Sequence, residues 1–196
     1  MFGFAGVISK KQLDNPIPQQ SLLCLDKFKF HSSFKIICDE KPEHNKKLTC
    51  MDGSILQILG LFFSDFSQLD SLRHFEEIAD GAFTALAVSP NEFRIYADPC
   101  GWRSVYFREE NGVLYLASNI RYFREHFGLH LEPVTERSID FLCTSFIPGQ
   151  ETLTSDVFQL PMGHVLEWNG ENKTTIRDYR KYDSISKEQK TITETA

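Results

Sequence analysis

Residues 80–119 read DGAFTALAVSPNEFRIYADPCGWRSVYFREENGVLYLASN, and the fold is decided by how this stretch is punctuated. Ala82 to Val88, Arg94 to Ala97, Arg103 to Phe107 and Leu114 to Ala117 are short runs rich in apolar and aromatic residues. Turn formers separate them, at Ser89, Pro90 and Asn91 and again from Glu109 to Gly112. Strands bounded in this way predict an antiparallel meander.

The flanks add more strands and a few helices. Ile55 to Phe63 is an apolar run broken by Gln57 and Gly60, the pattern of a strand buried on both faces. Leu69, Leu72, Phe75 and Ile78 recur every three residues among polar positions, which predicts an amphipathic helix with Ser67 as its N-cap. Phe2, Phe4, Val7 and Ile8, interleaved with Gly3, Ala5 and Gly6, predict a buried strand at the start of the sequence. Between Lys11 and Lys47 the signals are weaker: Pro16 and Pro18 mark a loop, Phe34 to Cys38 a strand, and Glu40 to Lys47 a polar turn.

Downstream, Ile120, Phe123 and Phe127 predict a second helix ended by Gly128, and Thr135 caps a third that includes Ile139 and Leu142. Strands follow near Val165 to Trp168 and Thr174 to Tyr179. Residues 183–196 are mostly Ser, Lys, Glu and Thr with few apolar side chains, the composition of a linker or disordered tail, so residues 1–182 are expected to form the folded domain. Helices alternating with antiparallel strands predict an α+β architecture with sheets packed face to face and helices outside.

Composition narrows the function classes. The chain has 196 residues, 41% hydrophobic and 24% charged, so it can bury a real core, and its 17 phenylalanines predict one built on large rings. A formal net charge of −6 speaks against a general affinity for nucleic acid or anionic membrane, and the pairs Lys10, Lys11 and Lys46, Lys47 read as solvated surface. No apolar run approaches the ~20 residues that span a bilayer. The five cysteines, Cys24, Cys38, Cys50, Cys100 and Cys143, show no zinc-ligand spacing and read as reduced thiols of a cytoplasmic protein.

Five motifs in order then carry a resemblance. Asp80 to Leu86 is similar to D-G-x-F-A-F-A; Asp98 to Phe107 to R-D-x-x-G-x-x-P-L-Y-Y; Gly112 to Asn119 to a strand ending in A-S-E; Phe146 to Leu153 to P-G-x-x-T-L; and Val157 to Leu166 to V-x-x-L-P-P-G-H-x-L. These elements resemble the glutaminase domain of asparagine synthetases, a class II glutamine amidotransferase. Phe2 to Val7 is similar to that family's C-G-I-A-G-I start and Leu59 to Ser64 to its N-G-E-I-Y-N. Residues 11–50 show no match. The resemblance implies a four-layer αββα N-terminal-nucleophile (Ntn) hydrolase sandwich of two antiparallel sheets.

The resemblance also implies six former glutamine-pocket positions: Phe2, Leu59, Gly60, Leu61, Asp80 and Gly81. In the family a cysteine after the initiator methionine becomes residue one and attacks the glutamine amide, assisted by its own α-amino group. Phe2 stands there and offers no nucleophile, and an internal cysteine lacks the free amine. Leu59 stands where the family has an oxyanion-stabilising asparagine, and Leu61 replaces its glutamate. Gly60 keeps a backbone N–H, and Asp80 keeps the family's partner for the glutamine α-amino group, although aspartate before glycine also suits a turn. Asp98 with Gly101 reads as a turn, and His164 as part of a structural loop.

The expected function is therefore a catalytically silent glutaminase-like domain of, or partner to, an ATP-dependent amide-forming ligase of the asparagine, β-lactam or lasso-peptide type, with no catalytic residue and no metal of its own. The synthetase motif S-G-G-x-D-S has no counterpart in this sequence, so ATP and Mg are expected only in a synthetase domain or subunit, in cis or in trans. Two alternatives stand beside this: a free-standing module binding a peptide or small molecule in the former glutamine cleft, and an active glutamine-hydrolysing enzyme of the asparagine synthase type using other residues.

Overall fold

In the computed structural model, residues 3–9, 44–65, 69–89, 92–169 and 174–180 are described in full and 33–38 through the backbone. Phe2, Ser67, the Pro16 and Pro18 loop and the 183–196 tail, all named above, lie outside the described residues.

The strands are β1 (Phe4–Ser9), β2 (Ser33–Cys38), β3 (Asn45–Thr49), β4 (Ile55–Phe62), β5 (Gly81–Ser89), β6 (Glu92–Ala97), β7 (Tyr106–Glu110), β8 (Val113–Ala117), β9 (Phe158–Gln159), β10 (His164–Trp168) and β11 (Thr174–Asp178). The helices are α1 (Leu72–Ile78), α2 (Arg121–Glu125) and α3 (Thr135–Thr144). Five strands in the order β2-β1-β8-β7-β9 form one sheet and six in the order β11-β10-β6-β5-β4-β3 form the other. Every pairing is antiparallel.

Side-chain alternation explains how the layers stack, because neighbouring residues of a strand face opposite sides. Phe4, Ile8, Phe107, Leu114 and Leu116 of the first sheet meet Leu59, Leu86, Ile95, Leu166 and Trp168 of the second in a closed core. The other face of the six-stranded sheet presents Ile58, Phe83, Ala85 and Tyr96 to Leu72 and Phe75 of α1. Phe123 of α2 packs with Ala117 of β8 and Val157 outside the five-stranded sheet. The fold is thus an α+β sandwich of two antiparallel sheets between helical layers, as the sequence predicted, and β4 and β5 are buried on both faces for that reason.

Four local readings are corrected. The strands from β5 to β8 do not form one meander, because β5 and β6 lie in one sheet and β7 and β8 in the other. Asp98 causes the crossing: its buried carboxylate accepts N–H bonds from Cys100 (3.0 Å), Trp102 (3.0 Å) and Arg103 (2.8 Å), folding residues expected in a strand into a loop. The polar turn at Glu40 to Lys47 contains the start of β3, an edge strand whose exposed Lys46 and Lys47 hide the usual alternation. Ser71, rather than Ser67, caps α1 by accepting the His74 N–H.

The fourth correction concerns α3. Val134, not Thr135, occupies its cap position, and no residue of the helix is buried. Ile139 is 56% and Leu142 82% exposed. Polar bonds dock the helix instead: Arg137 donates to the carbonyls of Thr152 (3.3 Å) and Thr154 (2.8 Å) and pairs with Glu151 (2.7 Å). Its apolar residues are consequently left facing outward.

Candidate functional site

The loop that Asp98 folds is also the wall of a cleft. Gly101 takes a φ of +70°, which a side chain would strain, and Met162 covers it closely enough that an added Cβ would lie 3.2 Å from the Met162 Cβ. The Gly163 N–H donates to the Asp98 carbonyl (3.0 Å) and the Leu160 N–H to that of Val105 (2.8 Å), so the segment before β10 is stapled to the same loop. Across from it, α3 and the chain after it supply Phe141, Phe146 and Leu153. Together these segments enclose a cleft of about 680 Å³.

Its lining is mainly apolar, with Arg103, Tyr106, Gln159, Glu151, Thr152 and Cys100 as the polar members. Several of these are already committed: Thr152 Oγ1 donates to the Val157 carbonyl at 2.6 Å, and Glu151 holds Arg137. Outside the cleft mouth, Trp102 is 77% exposed. A concave, mostly apolar space with a few convergent polar groups is the usual form of a small-molecule site.

Of the six positions implied by the resemblance, the five described ones fall beside this cleft rather than around it. Leu59 is fully buried between the sheets, in the same core as Phe4, two residues after the expected nucleophile position. Gly60, Leu61 and Gly81 come together at one end of the β4–β5 ladder, where Gly60 pairs with Phe83, Leu61 with Ala82 and Phe62 with Gly81. The Leu61 side chain is half exposed, and Asp80 lies at the surface with its carbonyl accepting the Phe63 N–H at 3.0 Å. None of the five described positions lines the cleft; the link is Arg103, which lines it and abuts Gly60. His164 Nδ1 sits 2.8 Å from the Met162 carbonyl, a local contact that holds the loop before β10.

Sequence reasoning missed the cleft. Arg103 stands in the stretch that decides the fold, and its one signal is a charge two residues after the Gly101 turn. Among the described residues no three His, Cys, Asp or Glu side chains are grouped to hold a metal, and no helix is long and apolar enough to cross a membrane. Cys50, Cys100 and Cys143 are free thiols.

No protein-family model matches the sequence, and no curated protein does. Among solved structures the chain is similar to the glutamine phosphoribosylpyrophosphate amidotransferase of B. subtilis complexed with ADP and GMP, at 11% identity and a TM-score of 0.41 over 91% of this chain. It is also similar to the allosteric regulatory enzyme of purine biosynthesis, at 10% identity and a TM-score of 0.43 over 92% of this chain. It spans 43% of the length of each.

Proposed function

We propose that this chain is a catalytically silent glutaminase-like domain that supports an ATP-dependent amide-forming ligase, carried on the same polypeptide or as a separate cytoplasmic subunit. One observation carries the proposal. Leu59, where the resembled family has its asparagine donor, has no exposed surface and belongs to the core between the sheets. An oxyanion needs donors aimed at it, and an aliphatic side chain sealed in a core supplies none; a missing donor of this kind costs about 3 kcal/mol of transition-state stabilisation. Phe2 adds the absence of a nucleophile.

On this reading the domain docks and shapes, while ATP and Mg belong to the ligase, whose product would be an asparagine-, β-lactam- or lasso-type amide. The retained layers support a structural role, since the sandwich and its core persist where the chemistry does not. Two measurements test it. The purified chain should release no ammonia from glutamine, and an adenylating ligase should be encoded in the same reading frame or beside it. Ammonia release that is abolished by Asp80→Ala would replace this reading with that of a working hydrolase.

A further inference from the structure

The outward side of α3 and the mouth of the cleft form one exposed apolar face. Ile139 and Leu142 lie three residues apart on α3, and the row continues into Phe146 just past its end. Phe141, Phe146 and Met162 line the cleft, and Trp102 stands between Gly101 and Arg103, which line it too. These six large side chains are between 42% and 82% exposed, although buried sites for large rings are plentiful elsewhere in this chain. We infer that a second copy of the same chain covers this face in a two-fold dimer, each copy setting its projecting Trp102 and Leu142 against the cleft of the other. The inference goes beyond the silence proposed above and does not depend on it.

Three observations lead there. The first is area: large side chains at these exposures offer on the order of 700 Å² of apolar surface, more than the largest patch of a typical monomer and close to the about 800 Å² that each partner gives to a stable interface.

The second is charge. Residues 99–102, 141–150 and 159–163 supply Trp102 and most of the cleft lining, and they contain no Asp, Glu, Lys or Arg in a chain that is 24% charged. Charge resumes at Asp140 and at Glu151, which Arg137 holds at 2.7 Å. Two chains of net charge −6 repel each other, and a charged residue near a two-fold axis meets its own like-charged copy. A charge-free centre removes that second penalty, and depletion of charge is the composition of an interface core.

The third is shape. A two-fold interface places the same patch on both sides, so that patch must carry both halves of the fit. Here a recess of about 680 Å³ adjoins Trp102 and Leu142, which are 77% and 82% exposed and each next in the chain to a residue that lines it.

Sedimentation equilibrium of the whole chain measures the dimer. We expect the mass to rise to twice that of the chain with a midpoint at or below about 10 µM, in the micromolar-to-tighter range that interfaces of this size show. Leu142→Asp should weaken the dimer at least about tenfold with unchanged circular dichroism, because the two-fold axis brings the new charge into the interface twice. Met51→Asp is the control: Met51 is as exposed, in the turn between β3 and β4, and its replacement should leave the mass curve alone. Trp168 is fully buried between the sheets, so acrylamide quenching reports Trp102 and should fall as the native dimer forms. A native chain that stays monomeric up to about 100 µM overturns the inference, whether Trp102 is then open to quencher or shielded by something else, and this outcome requires no variant to fold. A dimer that Leu142→Asp leaves as tight as Met51→Asp does overturns it as well. Ammonia release from glutamine would sink the proposed silence and leave the dimer standing.

Discussion

Gly60 and Arg103 touch across the seam between β4 and the cleft: a Cβ added to Gly60 would stand 3.1 Å from the Arg103 Cδ. The same added atom would collide with the Ala82 carbonyl, and Gly60 holds a φ of +122°, a conformation that side chains rarely adopt. The glycine is thus required twice, by backbone geometry and by the approach of the neighbouring strand.

Gly60→Ala should therefore lower stability by at least about 2 kcal/mol, read as a shift in the urea midpoint at constant slope. Gly112→Ala is the comparison. Gly112 also has a positive φ, +74°, but an added Cβ there meets nothing within 4 Å, so only about 1 kcal/mol of backbone strain is expected. Equal losses would mean that the approach of Ala82 and Arg103 is not tight.

A second prediction concerns how α1 is held. Glu76 accepts the Tyr96 O–H at 3.0 Å and two N–H groups of Arg177 at 2.6 and 3.0 Å, with Arg94 3.5 Å away. Its side chain is 12% exposed, so removing its charge takes one of two shared carboxylates from Arg177 and Arg94, which keep Glu167 at 2.9 and 3.4 Å. Because Arg177 is 37% exposed and partly screened, Glu76→Gln should cost about 2 kcal/mol rather than the larger loss of a fully buried pair. Chemical denaturation measures it, and an unchanged midpoint would show that the helix is held without Glu76, by Leu72, Phe75 and the Arg180 bond to the Ala79 carbonyl.

The same cluster predicts alkaline sensitivity. Burial, and then the Glu76 carboxylate beside it, hold the Tyr96 phenol protonated far above the usual tyrosine range. Its folded pKa is raised, so the stability it contributes is intact below about pH 10, where tyrosine in the unfolded chain ionises, and is lost as pH rises beyond that. The urea midpoint should fall above about pH 10, and it should fall less steeply in Tyr96→Phe. Parallel slopes in the two proteins would assign the loss to other groups.

Much of the architecture was legible because it rests on local pattern. The Asn111 and Gly112 turn, with φ of +53° and +74°, and the Gly128 helix stop at +68° are conformations announced by residue type. The continuous apolar run that buries β4 on both faces is equally visible in its sequence. What could not be read were features decided over long distances. Asp98 looks like an ordinary turn residue, yet by taking three backbone N–H bonds it sends the chain from one sheet to the other and so builds a wall of the cleft. The outward face of α3 is similar: the sequence places Ile139 and Leu142 in a helix, but does not tell that Arg137 would dock its polar side on the 151–154 loop. The six pocket positions came from resemblance, and four of them, Gly60, Leu61, Asp80 and Gly81, gather where β4 ends and β5 begins.

Phe2→Cys tests the central claim most directly. On the proposed reading, the substitution puts a thiol where the resembled family has its nucleophile, and a small second residue favours removal of Met1, so that a thiol and a free α-amino group would stand together. Leu59 still provides no oxyanion donor, a deficit on the order of a hundredfold or more in rate. We predict no measurable ammonia release from glutamine by this variant once mass spectrometry shows that Met1 is gone. Robust turnover would contradict the account, because it would mean that the site still binds glutamine productively and that its nucleophile alone was missing.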